Sequence, residues 1–227
     1  MQQTPSTVAI PRSLFGFSIF YGGMVCIAGV LGNKQVALGP LSAIGPLLGF
    51  PPLAIEAGIF AFLLLVVTSS AVAELHGREM ANRLVLIGFV PLICSILLAL
   101  LVLRLPPAPE MEPARVAAFD LMMGSTPWIW LGGIIAYGVS QTLNVTIFSW
   151  LKGREGSSLL WFRAGLASVL SQIVDTLLFI TIAFGFSAIG WLMAGQMLTK
   201  VVLSIVLIPP AIYLFVALGR RLDRAER

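Results

Sequence analysis

The stretch "LVLIGFVPLICSILLALLVL", from Leu84 to Leu103, contains 20 residues and no charged side chain. About 20 apolar residues suffice for a helix to cross the hydrocarbon core, because a helix satisfies its own backbone hydrogen bonds. The rest of the chain agrees: 58% of its 227 residues are hydrophobic, 11% are charged, and the mean hydropathy is +0.98. So little charge cannot cover a soluble domain of this length, which indicates an integral membrane protein.

Five further stretches are long and apolar enough to cross a membrane as helices. We therefore predict an all-α integral membrane protein with six transmembrane helices, at approximately Leu14–Leu31, Leu53–Ala73, Leu84–Leu103, Pro127–Leu151, Leu159–Phe186 and Ile189–Leu218. The last two stretches exceed the minimum length, which indicates tilt or extension beyond the bilayer. Because no long soluble segment is left over, residues 1–227 are expected to form a single polytopic membrane domain in contact with lipid.

The Lys and Arg residues predict the orientation of this domain. With both termini in the cytoplasm, ten basic residues lie at cytoplasmic ends of the spans and three lie outside, as the positive-inside rule requires. The ten are Arg12, Arg78, Arg83, Lys152, Arg154, Arg163, Arg220, Arg221, Arg224 and Arg227; the three are Lys34, Arg104 and Arg115. The net charge of +4 is thus a topology signal, and nothing in it indicates a nucleic-acid partner.

Three connections between the spans have distinct compositions. Val36–Pro52 is apolar but broken by Gly and Pro, which fits either an interfacial loop or a lid or re-entrant segment over the outer mouth. Arg104–Asp120 is a Pro-rich, acidic outer connector. Phe186–Gly190 is so short that the last two helices are expected to form an antiparallel hairpin.

A polar pattern occurs twice inside the predicted spans. "SQTLNVTIF" (Ser140–Phe148) and "SQIVDTLLF" (Ser171–Phe179) share Ser-Gln-x-x-(Asn/Asp)-x-x-x-Phe. Spacings of four, three and four residues place side chains on one helix face. The resulting stripes are Tyr137, Gln141, Asn144 and Phe148 in the fourth span, and Ser168, Gln172, Asp175 and Phe179 in the fifth. Because a short loop joins these spans, we expect the two stripes to face each other across one solute site.

The polar residues of the spans allow structural as well as functional roles. Gln and Asn also join membrane helices by hydrogen bonds. Asp175 differs, because an ionised carboxylate inside a span is costly unless it meets water, a cation or a ligand. Lys200, inside the sixth span, could neutralise Asp175 or Glu56 in a buried pair, could snorkel to an interface, or could line the solute path.

These side chains suit a planar, purine-like solute. A guanine-type ring offers two adjacent N–H donors that one carboxylate can accept together, and an amide can donate to its carbonyl oxygen or ring nitrogen. Aromatic side chains provide stacking surfaces for such a ring. We therefore expect Asp175 to accept the paired donors, Gln172 and Gln141 to contact the remaining edge, and Phe148 and Phe179 to border the ring. Asn144 would orient the site. Composition alone leaves a sugar or an amide open as the solute.

Several stretches of the sequence resemble one known family, the queuosine precursor transporters, also called the vitamin uptake transporter family. "WFRAGLASVLSQIVDTLLFITIAF" (Trp161–Phe184) is similar to the motif of its fifth helix, and "YGVSQTLNVTIF" (Tyr137–Phe148) to the stretch before it. "TKVVLSIVLIPP" (Thr199–Pro210) resembles its Lys-bearing last helix, and "GNKQ" (Gly32–Gln35) the segment after its first helix. The resemblance covers nearly the whole chain.

The resemblance implies a six-helix carrier in the bacterial inner membrane that imports 7-deazaguanine precursors for the tRNA modification queuosine. The family's functional positions then fall on Gln141, Asn144, Arg163, Ser168, Ser171, Gln172, Asp175 and Lys200. Two positions depart from the family pattern: Ser70 replaces an acidic residue, and Ala164-Gly165 replaces the asparagines of many members. The preferred deazaguanine and the coupling to protons therefore stay open.

Two alternatives belong to other functional classes. A substrate-binding subunit of an energy-coupling-factor importer is also a small six-helix protein, but it needs a partner complex for transport. A membrane enzyme is not expected, because the sequence shows no metal-ligand cluster and no nucleophile–base pair around its single histidine, His76. No cofactor is expected, and no ATP-binding motif is present. The sequence leaves open whether copies of the chain form a homo-oligomer.

Overall fold

The structure is a computed structural model that describes residues 10–32, 34–37, 39–47, 49, 52, 54–124, 127–155, 160–184 and 191–224. The chain is predominantly α-helical. Its elements are α1 (Arg12–Leu31), β1 (Gln35–Ala37), a 3₁₀ helix (Gly39–Ala43), α2 (Ile44–Leu47), β2 (Ala54–Glu56), α3 (Gly58–His76), α4 (Arg78–Leu103), α5 (Pro113–Met123), α6 (Pro127–Glu155), α7 (Leu160–Phe184) and α8 (Trp191–Arg224).

Within the described residues, a helix lies in each of the six predicted spans: α1, α3, α4, α6, α7 and α8. Five of these, within the described residues, contain a segment long and apolar enough to cross a membrane; α6 is not among them. The described part of α6 carries Gln141 and Asn144 together with several hydroxyl side chains, which lower its mean hydropathy. The chain is thus a helical protein with several membrane-length helices, while six spans and cytoplasmic termini stay predictions.

The apolar loop after the first helix is closed by a short β-hairpin that the sequence did not predict. Strands β1 and β2 pair antiparallel, with Gln35 opposite Glu56 and Ala37 opposite Ala54. Because residues 54–56 are extended, α3 begins at Gly58 and not at the predicted Leu53. Glu56, one candidate partner of Lys200, thus lies in a strand, and its side chain is outside the described part of the chain.

Helix α3 is the centre of the bundle. It contacts α1, α4, α6 and α8, and every residue from Leu65 to Ala73 is buried. A single residue, Gly77, joins α3 to α4; its φ of 89° is a left-handed conformation that glycine adopts without steric cost. By contrast, α4 exposes a row of large apolar side chains, including Leu86, Val90 and Leu97, as expected of a helix face in lipid.

Helices α6, α7 and α8 pack side by side in chain order. The expected turn between α7 and α8 lies outside the described residues. A further helix, α5, forms in the acidic connector and begins at Pro113, whose fixed φ suits the first helical position.

Hydrogen bonds join α1, α3 and α8 at one end of the bundle. The backbone N–H of Ser13 donates to Asp223 Oδ1 at 2.9 Å, and its hydroxyl donates to Asp223 Oδ2 at 2.7 Å. The same hydroxyl lies 2.7 Å from His76 Nε2. These contacts fix the start of α1 and the end of α8 beside the end of α3.

Candidate functional site

A cavity of about 910 Å³ opens between α1, α3, α4, α5 and the last three helices. Its walls are mostly apolar. They consist of small and aliphatic residues of α1, the larger apolar residues Ile59, Phe62 and Leu65 of α3, aliphatic residues of α4, and Phe119, Met122 and Met123 on α5. The charged residues among its lining are Asp175 and Lys200. Of the eight site residues predicted from sequence, Asp175, Lys200 and Phe179 line this cavity.

The two charged residues of the cavity form an ion pair. Lys200 Nζ lies 3.4 Å from Asp175 Oδ2, and the side chains are 18% and 10% exposed. The other carboxylate oxygen, Oδ1, accepts a hydrogen bond from Ser140 Oγ at 3.0 Å. Asp175 is thereby held between α6 and α8, with one donor on each oxygen. The sequence raised the Lys200–Asp175 pair as one alternative, and the structure contains it.

An aromatic cluster forms the cavity wall beside this pair. Tyr137 lines the cavity, and its hydroxyl is hydrogen-bonded to that of Tyr21 on α1. Phe62 and Phe89 meet the Tyr137 ring edge-to-face, each at a centroid distance of 5.7 Å. Gly88 permits this arrangement, because a Cβ at that position would lie 2.5 Å from the Tyr21 ring. Phe62 and Tyr137 therefore present fixed aromatic surface to the cavity.

Gln141 and Asn144 lie behind the cavity, where they bond to α3. Ser69 Oγ donates to Gln141 Oε1 at 3.1 Å, and Asn144 Nδ2 donates to Ser70 Oγ at 3.2 Å. All four residues are at most 1% exposed. The opposite end of each amide, Gln141 Nε2 and Asn144 Oδ1, has no hydrogen-bond partner among the residues that the structure describes.

One helical turn further along both helices lies a third connection. Glu74 follows Ser70 by four residues and Phe148 follows Asn144 by four, so each continues the same helix face. Arg163 joins them: its Nη2 is 3.6 Å from Glu74 Oε2, and its guanidinium carbon lies 5.3 Å from the centre of the Phe148 ring. Arg163 and Phe148 are completely buried. We call the contacts Ser69–Gln141, Ser70–Asn144 and Glu74–Arg163–Phe148 the α3–α6 ladder.

Gln172 belongs neither to the cavity lining nor to the contacts of the ladder. Its side chain is completely buried, and within the described ranges neither amide atom has a hydrogen-bond partner; the same holds for Ser168 Oγ. The eight predicted site residues thus divide into three at the cavity, four in the ladder (Gln141, Asn144, Phe148, Arg163), and Gln172. The hydrogen bond between the two sequence repeats is Ser140–Asp175, whereas the described contacts of the α6 amides go to α3.

Ser140, Ser69 and Phe62 contact the candidate site residues in the structure but were not predicted from the sequence as site residues. Ser140 is the first residue of the repeated pattern, so its position directly before Gln141 was the available signal. Ser69 and Ser70 form a polar pair within an apolar run of α3, which was a second signal. Phe62 carries no local signal, since one more aromatic residue in an apolar helix is ordinary.

A bundle of membrane-length helices around a cavity with an ion pair in its lining is typical of membrane proteins that bind and move small solutes. The family of the chain within this class follows from its similarity to known proteins. Residues 56–215 match the family model described as "Putative vitamin uptake transporter", and the chain belongs to this family.

A curated relative carries a more specific name. The chain is 32% identical over 112 residues to a "Probable queuosine precursor transporter" of Bacillus subtilis (strain 168). The alignment covers 49% of this chain and 48% of that protein, so it spans about half the length of each. No solved structure matches the chain. The family resemblance seen in the sequence is confirmed, and both the family and this relative are transporters and not enzymes.

Proposed function

We propose that this protein imports a 7-deazaguanine precursor of queuosine, such as 7-cyano-7-deazaguanine or 7-aminomethyl-7-deazaguanine, across the bacterial inner membrane for tRNA modification. The observation that carries the proposal is the Asp175–Lys200 ion pair in the lining of a cavity that also contains the aromatic side chains of Phe62, Tyr137 and Phe179. The name of the Bacillus relative supports the same class of solute.

The ion pair complements one edge of a deazaguanine ring. That edge presents a carbonyl oxygen, a ring N–H and an exocyclic amine, which are one acceptor beside two donors. A carboxylate accepts two parallel N–H bonds, while an ammonium group supplies donors only. Asp175 would therefore accept the paired donors in place of Ser140 and Lys200, and Lys200 would turn to the carbonyl oxygen. Each charged group exchanges one partner for another, so neither is left unpaired.

The cavity also provides faces for the ring. Tyr137, Phe62 and Phe179 line it around the ion pair, and stacking of a base on an aromatic side chain stabilises binding by about 1–3 kcal/mol. The cavity volume of about 910 Å³ lies within the range of roughly 300–1,000 Å³ usual for small-molecule sites. Gln141, Asn144, Gln172, Phe148 and Arg163 remain proposed solute contacts, but they lie outside the lining of this cavity.

Transport into a bacterium that can neither make nor import the precursor tests the proposal. Cells expressing the chain and fed 7-cyano-7-deazaguanine should regain queuosine in their tRNA, and cells with an empty vector should not. The purified protein in liposomes should then take up labelled precursor without added components. Uptake that requires an added energising complex would instead support the alternative, a substrate-binding subunit of an energy-coupling-factor importer. Failure of both assays would exclude deazaguanine import.

A further inference from the structure

We infer that the α3–α6 ladder closes the solute route on one side of the cavity, and that α3 and α6 separate at the ladder to let the solute leave the cavity. This inference rests on the proposed transport function. It assigns to Ser69, Ser70 and Glu74 a role in closing and opening the solute route, although none of the three lines the cavity.

The ladder continues directly from the cavity to the far end of these helices. Ser140, which bonds to Asp175, immediately precedes Gln141, the first α6 residue of the ladder. The last connection joins Glu74, two residues before the end of α3, to Arg163, three residues after the start of α7. The contacts therefore cover the distance between the cavity and the end of the bundle where α3 and α4 meet.

The ladder contains more polar groups than a permanently closed interface needs. Gln141 Nε2, Asn144 Oδ1 and the three guanidinium nitrogens of Arg163 are buried without a hydrogen-bond partner in the part of the chain that the structure describes. Such groups destabilise the state that buries them, and apolar side chains would close the same space at lower cost. Polar groups of this kind are of use when the route opens, because water or the edge of a polar heterocycle can then pair with them.

The contacts that close the ladder are also ones that can separate. Each amide is held by one hydrogen bond to a serine, and both serines can bond to their own helix backbone; Ser69 Oγ lies 3.1 Å from the Val66 carbonyl oxygen. Arg163 is held by an ion pair at 3.6 Å and by the face of Phe148. No described hydrogen bond fixes its guanidinium group, so the contacts that Arg163 gives up on opening are the ion pair with Glu74 and the face of Phe148.

A reversible crosslink across the ladder tests whether α3 and α6 separate. In a background in which Cys26 and Cys94 are replaced by Ser, the changes Ser70→Cys and Asn144→Cys place two thiols where the native side-chain atoms are 3.2 Å apart. Closing them as a disulfide, or with a short thiol–thiol reagent, should abolish uptake of 7-cyano-7-deazaguanine into liposomes. Cleavage of the disulfide with dithiothreitol should restore uptake to the level of the reduced double variant. In each single-cysteine variant, the same oxidation should not change the uptake measured before it.

A second measurement covers the case in which the reduced double variant does not transport. The single Ser70→Cys variant should react with a membrane-impermeant maleimide from the side opposite the cavity, and faster when the precursor is present. Undiminished uptake with the crosslink complete, or no labelling of Cys at position 70 from that side during uptake, would overturn the inference. In both of those outcomes the precursor is still bound and transported, so the proposed function stands. If the unmodified protein did not bind the precursor, the proposed function itself would be wrong.

Discussion

Lys200 Nζ lies 3.4 Å from Asp175 Oδ2 in the lining of the cavity, and both side chains are largely buried. Removing one member of a buried ion pair leaves the other charge uncompensated, which typically costs about 3–5 kcal/mol. We therefore expect Lys200→Met to lower the yield and the thermal stability of the detergent-purified protein. The measurement is a melting curve beside that of the unchanged protein.

The double variant Lys200→Met with Asp175→Asn is the control for this effect. It has no uncompensated charge, so its stability should return towards that of the unchanged protein, although uptake should be lost. A Lys200→Met protein of normal stability that fails to transport would show that Lys200 acts on the solute and does not neutralise Asp175.

The orientation of the chain in the membrane can be tested at two connections. The distribution of Lys and Arg predicts that the segment containing α5 lies outside and that the connection between α6 and α7 lies inside. A reporter fused after Ala108 should therefore be active as an external fusion, and one fused after Gly156 as a cytoplasmic fusion. The opposite pattern would invert the predicted topology and place α5, which lines the cavity, on the cytoplasmic side.

Removing one member of the Arg163–Glu74 pair should be strongly destabilising, because both side chains are buried, at 0% and 9% exposure, and the remaining charge would be uncompensated. Arg163→Met should lower the melting temperature markedly, in line with a loss of about 3–5 kcal/mol, and Arg163→Met with Glu74→Gln should recover much of it. Arg163→Lys keeps the charge but loses the planar group over Phe148. Its melting temperature should therefore lie between that of Arg163→Met and that of the double variant.

An exposed pair in the same chain provides the matched control for Arg163. At the start of α5, Arg115 Nε lies 3.9 Å from Glu112 Oε2, and the two side chains are 79% and 69% exposed. Water screens such a pair, so Arg115→Met should leave the melting temperature unchanged within error. A loss at Arg115 equal to that at Arg163 would show that burial of the Arg163 pair contributes nothing.

The helices could be predicted from the sequence because membrane-length apolar runs are a local signal. The start of α3 could not: residues 54–56 pair with residues 35–37, and such pairing between distant segments leaves no mark in local composition. Asp175 is a candidate site residue from the sequence alone, because an ionised carboxylate in an apolar run is costly unless it meets water, a cation or a ligand. In the structure it pairs with Lys200 in the cavity lining, while its contact with a solute stays a prediction.

The partners of the polar stripe could not be predicted in the same way. Periodicity places Gln141 and Asn144 on one face of α6, but it does not say which helix that face meets. In the structure their bonds go to Ser69 and Ser70 of α3. A serine in an apolar helix does not by itself indicate such a role, because its hydroxyl can donate to the backbone of its own helix. For Ser140, the Tyr137 carbonyl oxygen at 3.2 Å is the alternative acceptor to Asp175 Oδ1 at 3.0 Å.

The proposed binding of the solute makes its sharpest prediction at Asp175. The change Asp175→Asn keeps the size of the side chain but replaces one accepting oxygen with a donor, so the paired N–H groups of a deazaguanine would meet a mismatch. An unpaired buried polar group costs roughly 1–3 kcal/mol, which corresponds to an affinity about ten- to a hundredfold weaker. The measurement is the binding of 7-cyano-7-deazaguanine to the detergent-purified protein.

Gln141→Leu is the matched comparison, because Gln141 is buried like Asp175, at 0% against 7% exposure, but does not line the cavity. It loses one hydrogen bond to Ser69, so binding should weaken less than in Asp175→Asn, and the bundle should remain folded. Asp175→Asn also leaves Lys200 without its carboxylate, which can destabilise the protein. Affinities are therefore compared only for variants whose melting curves show a folded protein. The double variant Asp175→Asn with Lys200→Met, which has no uncompensated charge, is measured for binding as a second test. Unchanged affinity in Asp175→Asn would mean that Asp175 does not accept the N–H donors of the solute, and that its pairing with Lys200 and Ser140 serves only to hold α6, α7 and α8 together.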